Sequence, residues 1–539
     1  WTKDNVYHLK DVIYIEPNGE LTIQEGTTII GYKASELPGT DSSALVVCRG
    51  AKLFADGTLT EPIIFTSSHD TGAWRPVNSE WGNLTILGAA IIAEGTATGG
   101  VQDGTCVDNM EGLGVSALSE YGGDDDDDSS GSISYVQLRY GGSVIGTANE
   151  LNGLSLGGVG RGTDMHHIEI MNNVDDGIEI WGGTVCLKYV SIWNIGDDSF
   201  DLDEGYRGQA QFGLIVQGYS NPAASQGSGA GDNCFEMDGG EHPDNMQPYA
   251  NPQVYNFTVI GEPNGGDQAL AFRDNMRIQI GNSIFMDIGD KLVSMEGAFD
   301  QMMDDAFTTA YDTYDTTGYD AAWLAGKGGP SALYSSSRSG MWSQVQDSIF
   351  YNYSSKGNAA VSGDPIDSGS DIHDSFFDGT NRNIDDQTGT GAMPIVLITR
   401  EATVGHPGLG MHRVISLDPR AAGNAKTCSY TAPDDSYFTP VSYIGAFSEK
   451  NNWLEGWSAS DAFGFLANTG NNPSEPTVTI QLTATSFFQT VADADYLVEK
   501  SDDNVNWTTL GTVKGDGSIM NATDLDALSP ARFYSVTVL

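Results

Sequence analysis

The stretch Asp175-Asp-Gly-Ile-Glu-Ile-Trp-Gly-Gly183 returns 22 residues later as Asp197-Asp-Ser-Phe-Asp-Leu-Asp-Glu-Gly205. Each copy opens on two acids, runs through an apolar–acidic–apolar triplet and closes on glycine. The triplet alternates with period two, the mark of a strand with one buried face. Neighbouring triplets keep the step: Ile168-Glu169-Ile170, Val190-Ser191-Ile192 and Phe212-Gly213-Leu214. The first series continues through Phe235-Glu236-Met237 and Leu270-Ala271-Phe272, each 35 residues on, and Val293-Ser294-Met295, 23 on. Upstream, Leu154-Ser155-Leu156 precedes Ile178 by 24 residues. The long steps read as one base turn carrying an inserted loop. Strands returning at this interval lie parallel and stack with roughly 4.8 Å between turns. The expected fold is all-β, a parallel β-helix, right-handed by the usual chirality of parallel connections.

The same texture runs from Ile13-Tyr14-Ile15 to Asn282–Met286, Asp347–Tyr351 and Asp374–Phe377. The last three open on Asn or Asp followed by Ser, residues suited to a repeated left-handed corner. Met302 to Trp323 lacks alternation and reads as a short helical excursion, while Gly122 to Gly131 reads as a solvated loop. The expected organisation is a β-helix over 1–466 with loop insertions at 100–131 and 297–345. A linker over 467–475 then leads to a β-sandwich-like module over 476–539.

The formal charge of −48 repels nucleic acid and anionic lipid and attracts divalent cations. No run approaches 18 apolar residues, so no membrane-spanning helix is expected. The five cysteines show no zinc-like spacing; Cys186 and Cys234 read as core residues, and Cys106 and Cys428 as loop residues able to bridge. Opening on Trp1, the chain reads as a mature exported product.

The repeat stacks side chains in outward columns. One holds Glu179, Asp201 and Glu236, then Ala271 and Ser294; a second holds Trp181, Asp203, Asp238, Arg273 and Glu296. Asp175 stacks on Asp197, and Asp176 on Asp198. Like charges one turn apart repel by roughly 1 kcal/mol in water and by 3–4 kcal/mol at an effective dielectric near 20. Four readings follow: a hydrated acidic face, bound Ca²⁺, a carboxylate with a raised pKa serving as general acid, or neutralisation by Arg273. Calcium is the expected cofactor. Its ligands would come from Asp124, Asp125, Asp126, Asp127 and Asp128, and from Asp197, Asp198, Asp201, Asp203, Glu204, Glu236 and Asp238. His166 and His167, by strand alternation, are expected to face opposite ways.

Trp1-Thr-Lys-Asp-Asn-Val-Tyr7, Leu21-Thr-Ile-Gln-Glu-Gly-Thr27, Pro62-Ile-Ile-Phe-Thr-Ser67 and Asn152-Gly-Leu-Ser-Leu-Gly-Gly-Val-Gly160 accompany the acidic repeats. Together these resemble the secreted β-helix proteins of marine and environmental bacteria, over roughly residues 1–460. The tail, ending near Arg532-Phe-Tyr534, resembles fibronectin-III-like modules. The resemblance implies export, to the medium or the bacterial cell surface. Gly196-Asp197-Asp198 also resembles the aspartate pair of pectin-degrading β-helix hydrolases. A catalytic set would then be Asp197, Asp198, Asp201, Glu236 and Arg273. The hydrolases' Gly-His-Gly turn is absent, and Arg277-Ile278-Gln279 lacks the lysine of their Arg-Ile-Lys. Three functions remain open. The first is a structural or adhesive surface protein, stabilised by calcium and assembling with itself head to tail into fibres or a lattice. The second is a polysaccharide-active hydrolase or lyase, and the third a non-catalytic glycan binder. The first ranks highest because no catalytic set is complete.

Overall fold

The computed structural model describes residues 1–38, 42–142, 144–146, 149–220, 231–295, 300–354, 379–402, 405 and 410–467, and beyond 467 only the backbone of five strands. The chain divides into two compact units, Trp1–Asn471 and Asn472–Leu539. The first unit is a parallel β-helix whose turns alternate between a 15-stranded and a nine-stranded sheet. Along the nine-stranded sheet, Leu154 pairs with Ile178, Ile178 with Phe200, Phe200 with Phe235, Phe235 with Leu270 and Leu270 with Val293. These side chains are fully buried in one core with Ile180, Leu202, Met237 and Phe272. The second unit holds two antiparallel sheets, of two and three strands.

In the larger sheet the alignment shifts by one residue. Val190 pairs with Gly213, so Phe212 occupies the corner and Leu214 faces outward. A one-residue slip exchanges the faces of a strand. The sequence disguises it because Gly213 stands where Ile168 and Val190 put side chains. The Phe257 ring of the next turn fills that space, and a Cβ on Gly213 would lie 2.2 Å from it.

The corner itself is a ladder of rings. Tyr135, His167, Tyr189 and Phe212 all have positive φ, between 51° and 62°. Successive centroids stack at 4.3, 4.4 and 4.9 Å. Left-handed backbone is unfavourable for bulky residues, and ring stacking offsets it. Asn256, Asn282 and Asp347 hold the same conformation further along, at φ 58°, 52° and 51°. Asp374–Phe377 lies outside the described residues.

Among the described residues, the last named strand paired in parallel is Ile384–Asp386. Ile395–Arg400 and Val414–Ala421 form an antiparallel pair, and residues 425–465 then cover the outer face of the larger sheet. That face presents Met171, Trp193, Val216, Ile260 and Met286, which pack with Trp453, Trp457 and Phe465 of the cover. Glu169 anchors it, accepting hydrogen bonds from the Ala459 and Ser460 amides at the start of a short helix, Ala459–Ala462. The region 302–323 contains parts of two helices, Asp300–Ala306 and Ala321–Lys327.

Candidate functional site

On the outer face of the nine-stranded sheet the acids form a row. Glu179 lies beside Asp201 and Asp201 beside Glu236 on consecutive turns, followed by Ala271 and Ser294. Where the chain enters these strands, a side-chain ladder fixes the turns. Asn152 Oδ1 accepts from the Asp176 amide at 3.1 Å, Asp176 Oδ1 from the Asp198 amide at 2.9 Å, and Asp198 Oδ1 from the Asn233 amide at 2.6 Å. The repeated acid pair is therefore partly architectural: one acid of each pair bonds the turn above.

The row is not a hydrated face. Glu179 is 6 % exposed and Asp201 is 7 % exposed. Asp201 Oδ1 and Asp238 Oδ1 are buried without a hydrogen-bond partner. Burial pushes the Asp176, Glu179, Asp198, Asp201 and Asp238 carboxyls well above the usual range, and neighbouring carboxylates push further. Asp203 is raised to about 8 by burial and then by Glu241. Among the described residues, one cation pairs with the row: Arg273, with Glu236 at 2.9 Å and with Asp238 at 3.2 Å. Its side chain is 39 % exposed, against 20 % for Glu236, so the row opens to solvent at this end. Two groups of carboxylates bring ligand atoms within 4.8 Å of one another and could hold a cation: Asp176, Glu179 and Asp201, and Asp175, Asp176 and Asp197. Glu179, Asp175 and Asp176 were legible as stacked acids, whereas the part of Asn152, bonded to Glu179 and to the Asp176 amide, shows only in three dimensions.

The aspartate run 124–128 is built otherwise than expected. Asp126 accepts two hydrogen bonds from the buried Arg207, each 2.8 Å, and is held below its ordinary pKa against burial by Arg207 and Arg161. Asp124 pairs with Lys327, Asp127 with Arg161, and Asp128 accepts from the Ala89 amide. Asp125 accepts from the Asp127 amide. Among the described residues, no group able to hold a metal includes these five. Arg207, Arg161 and Lys327 meet Asp126, Asp127 and Asp124, so the run clamps the insertion before Gly131 while Asp124, Asp125 and Asp127 stay exposed to solvent as expected.

His166 and His167 do not diverge: their Nδ1 atoms lie 2.9 Å apart. The left-handed backbone at His167 breaks the alternation. Burial and His166 lower the His167 pKa to about 3. Both line an open groove of about 640 Å³ with Arg161, Lys188, Tyr189 and Tyr437. The five cysteines are free thiols, and Cys106 is buried rather than bridged to Cys428.

Stacked parallel turns with an acidic row on one outer face define the class: a parallel β-helix. The family model described as "pectate-lyase like beta helix domain" matches residues 1–315, and the chain belongs to that family. No curated protein and no solved structure matches it. Among the described residues, no helix is long and apolar enough to cross a membrane.

Proposed function

We propose that this protein is a secreted glycoside hydrolase acting on an extracellular polysaccharide at the Asp201–Glu236 step of the row. The supporting observation is a pair of carboxyls on adjacent turns in opposite electrostatic settings. Asp201 is buried among acids, which favours its protonated form, whereas Glu236 pairs with Arg273 at the exposed end. Two carboxyls in such different settings suit an acid and a nucleophile. Adjacent turns lie roughly 4.8 Å apart, near the ~5 Å carboxyl separation of enzymes that act by double displacement. Asp201 would donate its proton to the glycosidic oxygen. Glu236 would attack the anomeric carbon, and water would release the sugar with Asp201 as base. The charge of −48 and the scarcity of cations favour a neutral glycan over a polyuronate.

Incubating the protein with neutral and acidic polysaccharides and measuring new reducing ends tests this. The expected result is release from a neutral polymer, reduced at least about a thousandfold in Glu236→Gln. No release from any polymer, or release unchanged in Glu236→Gln, would contradict it. A second reading rests on Asp176, Glu179 and Asp201, whose ligand atoms lie within 4.8 Å. There a Ca²⁺ ion would replace the shared protons, and Ca²⁺ would then raise the melting temperature. The adhesive reading with head-to-tail assembly draws support only from the solenoid form and the charge, and ranks below both.

A further inference from the structure

A second acidic cluster stands off the row, where the insertion between Leu87 and Gly131 meets the ends of two turns. The backbone builds it. The Ala93 amide donates to Glu204 O at 2.6 Å, the Glu241 amide to Ala93 O at 2.8 Å and the Gly95 amide to Glu241 O at 2.9 Å. Glu94 and Glu241 thus form a parallel bridge. A short antiparallel pair sets Asp108 opposite Tyr121, whose hydroxyl donates to Glu204 Oε1 at 3.0 Å. Glu94, Asp108 and Glu204 consequently bring ligand atoms within 4.8 Å of one another, as do Glu94, Glu241 and His242, with Glu94 common to both.

Glu204 is 2 % exposed and Glu94 is 3 % exposed. Glu204 Oε2 is buried with no hydrogen-bond partner. Among the described residues, no lysine or arginine forms an ion pair with Glu94, Asp108 or Glu204; the one cationic partner is His242, whose Nδ1 lies 2.9 Å from Glu94 Oε2. Tyr121, which bonds Glu204, packs in an apolar cluster with Ile92, Met110, Trp181 and Met246. Carboxylates in such surroundings are strongly unfavourable unless a cation joins them. An orphaned oxygen inside the cluster marks where that cation would sit.

We propose that Glu94, Asp108, Glu204 and His242, with Glu241 at the rim, bind a first-row divalent cation such as Zn²⁺ or Mn²⁺. The imidazole decides the class. Calcium takes oxygen ligands, whereas carboxylate with imidazole suits first-row metals. Ligands bound at about 2.1 Å lie at most about 4.2 Å apart, so closing either group of three from 4.8 Å needs about 0.6 Å of movement, and Glu94, common to both, joins them around one ion. The His242 side chain is 67 % exposed, which gives the ion a way in from solvent and lets the ring exchange its contact with Glu94 for the metal.

The test is titration of the full chain with Co²⁺, Zn²⁺ or Mn²⁺ alone, in buffer saturated with Ca²⁺ so that purely oxygen sites are filled. The expected result is one tight equivalent, with a visible Co²⁺ absorption band that shifts in His242→Ala. Affinity should fall about tenfold or more in His242→Ala and in Glu204→Gln. His242 is exposed, so its variant keeps the question answerable if Glu204→Gln fails to fold. No binding below millimolar metal would overturn the proposal. So would binding indifferent to His242→Ala, or binding abolished by Asp176→Asn alone, which would place the ion in the row.

Discussion

The two sheets of the helix share one alternation and use their outer faces oppositely. On the larger sheet the outer row is Met171, Trp193, Val216, Ile260 and Met286, and the chain returns over it with Trp453, Trp457 and Phe465. On the nine-stranded sheet the outer row is Glu179, Asp201 and Glu236, with Arg273 at its end. An apolar outer row gains stability from being covered. A buried acidic row loses it, through desolvation and mutual repulsion. A fold that keeps such a row beside an outer face built for packing has been selected for something other than stability.

The largest expected effect breaks the covered side. Trp457 is 1 % exposed, its indole donates to Trp453 O at 2.7 Å, and its ring meets Tyr135 and His167 edge-on. Trp457→Ala should lower unfolding free energy by about 3–5 kcal/mol in urea titration. A loss below about 1 kcal/mol would mean that the cover contributes little.

The acidic side should answer to pH instead. Its carboxyls keep protons in the folded chain that the unfolded chain releases near pH 4. Folding is then linked to proton uptake between that pH and the folded value, which for Asp203 is about 8. Stability from these groups is complete below about pH 4 and is lost as pH rises toward 8. Melting temperature should accordingly fall from pH 5 to pH 8 without added metal. A rise over that window would show that the carboxyls are ion-paired rather than proton-sharing. The smallest effect on stability belongs to Arg273→Gln, about 1 kcal/mol or less at this partly exposed pair, although it should remove most glycan cleavage.

The coil was legible because the repeat is local: Ile178, Phe200, Phe235, Leu270 and Val293 can be aligned by counting, and the acidic row follows from the same register. Three things escaped. The slip at Phe212 escaped because Gly213 leaves no side chain to betray its face. The cover escaped because Met171, Trp193 and Val216 sit just past the triplets, where alternation alone does not say what will pack on them. The cluster at Glu94, Asp108, Glu204 and His242 escaped because its members come from separate segments, and only tertiary pairing brings them together. Burial was also invisible: composition suggests a wet acidic surface, whereas Glu179 and Asp201 are enclosed.

The central claim is that the row is held against the interests of stability, and the melting temperature of Asp201→Asn at pH 8, without metal, tests it most directly. Asn keeps the shape and removes one ionisable group from the middle of the row. The variant should melt above the wild type at pH 8, with the difference shrinking at pH 5 as neighbouring acids gain protons. A variant that melts below the wild type at pH 8 would show that the Asp201 carboxyl stabilises the fold, and the account of the row would be wrong.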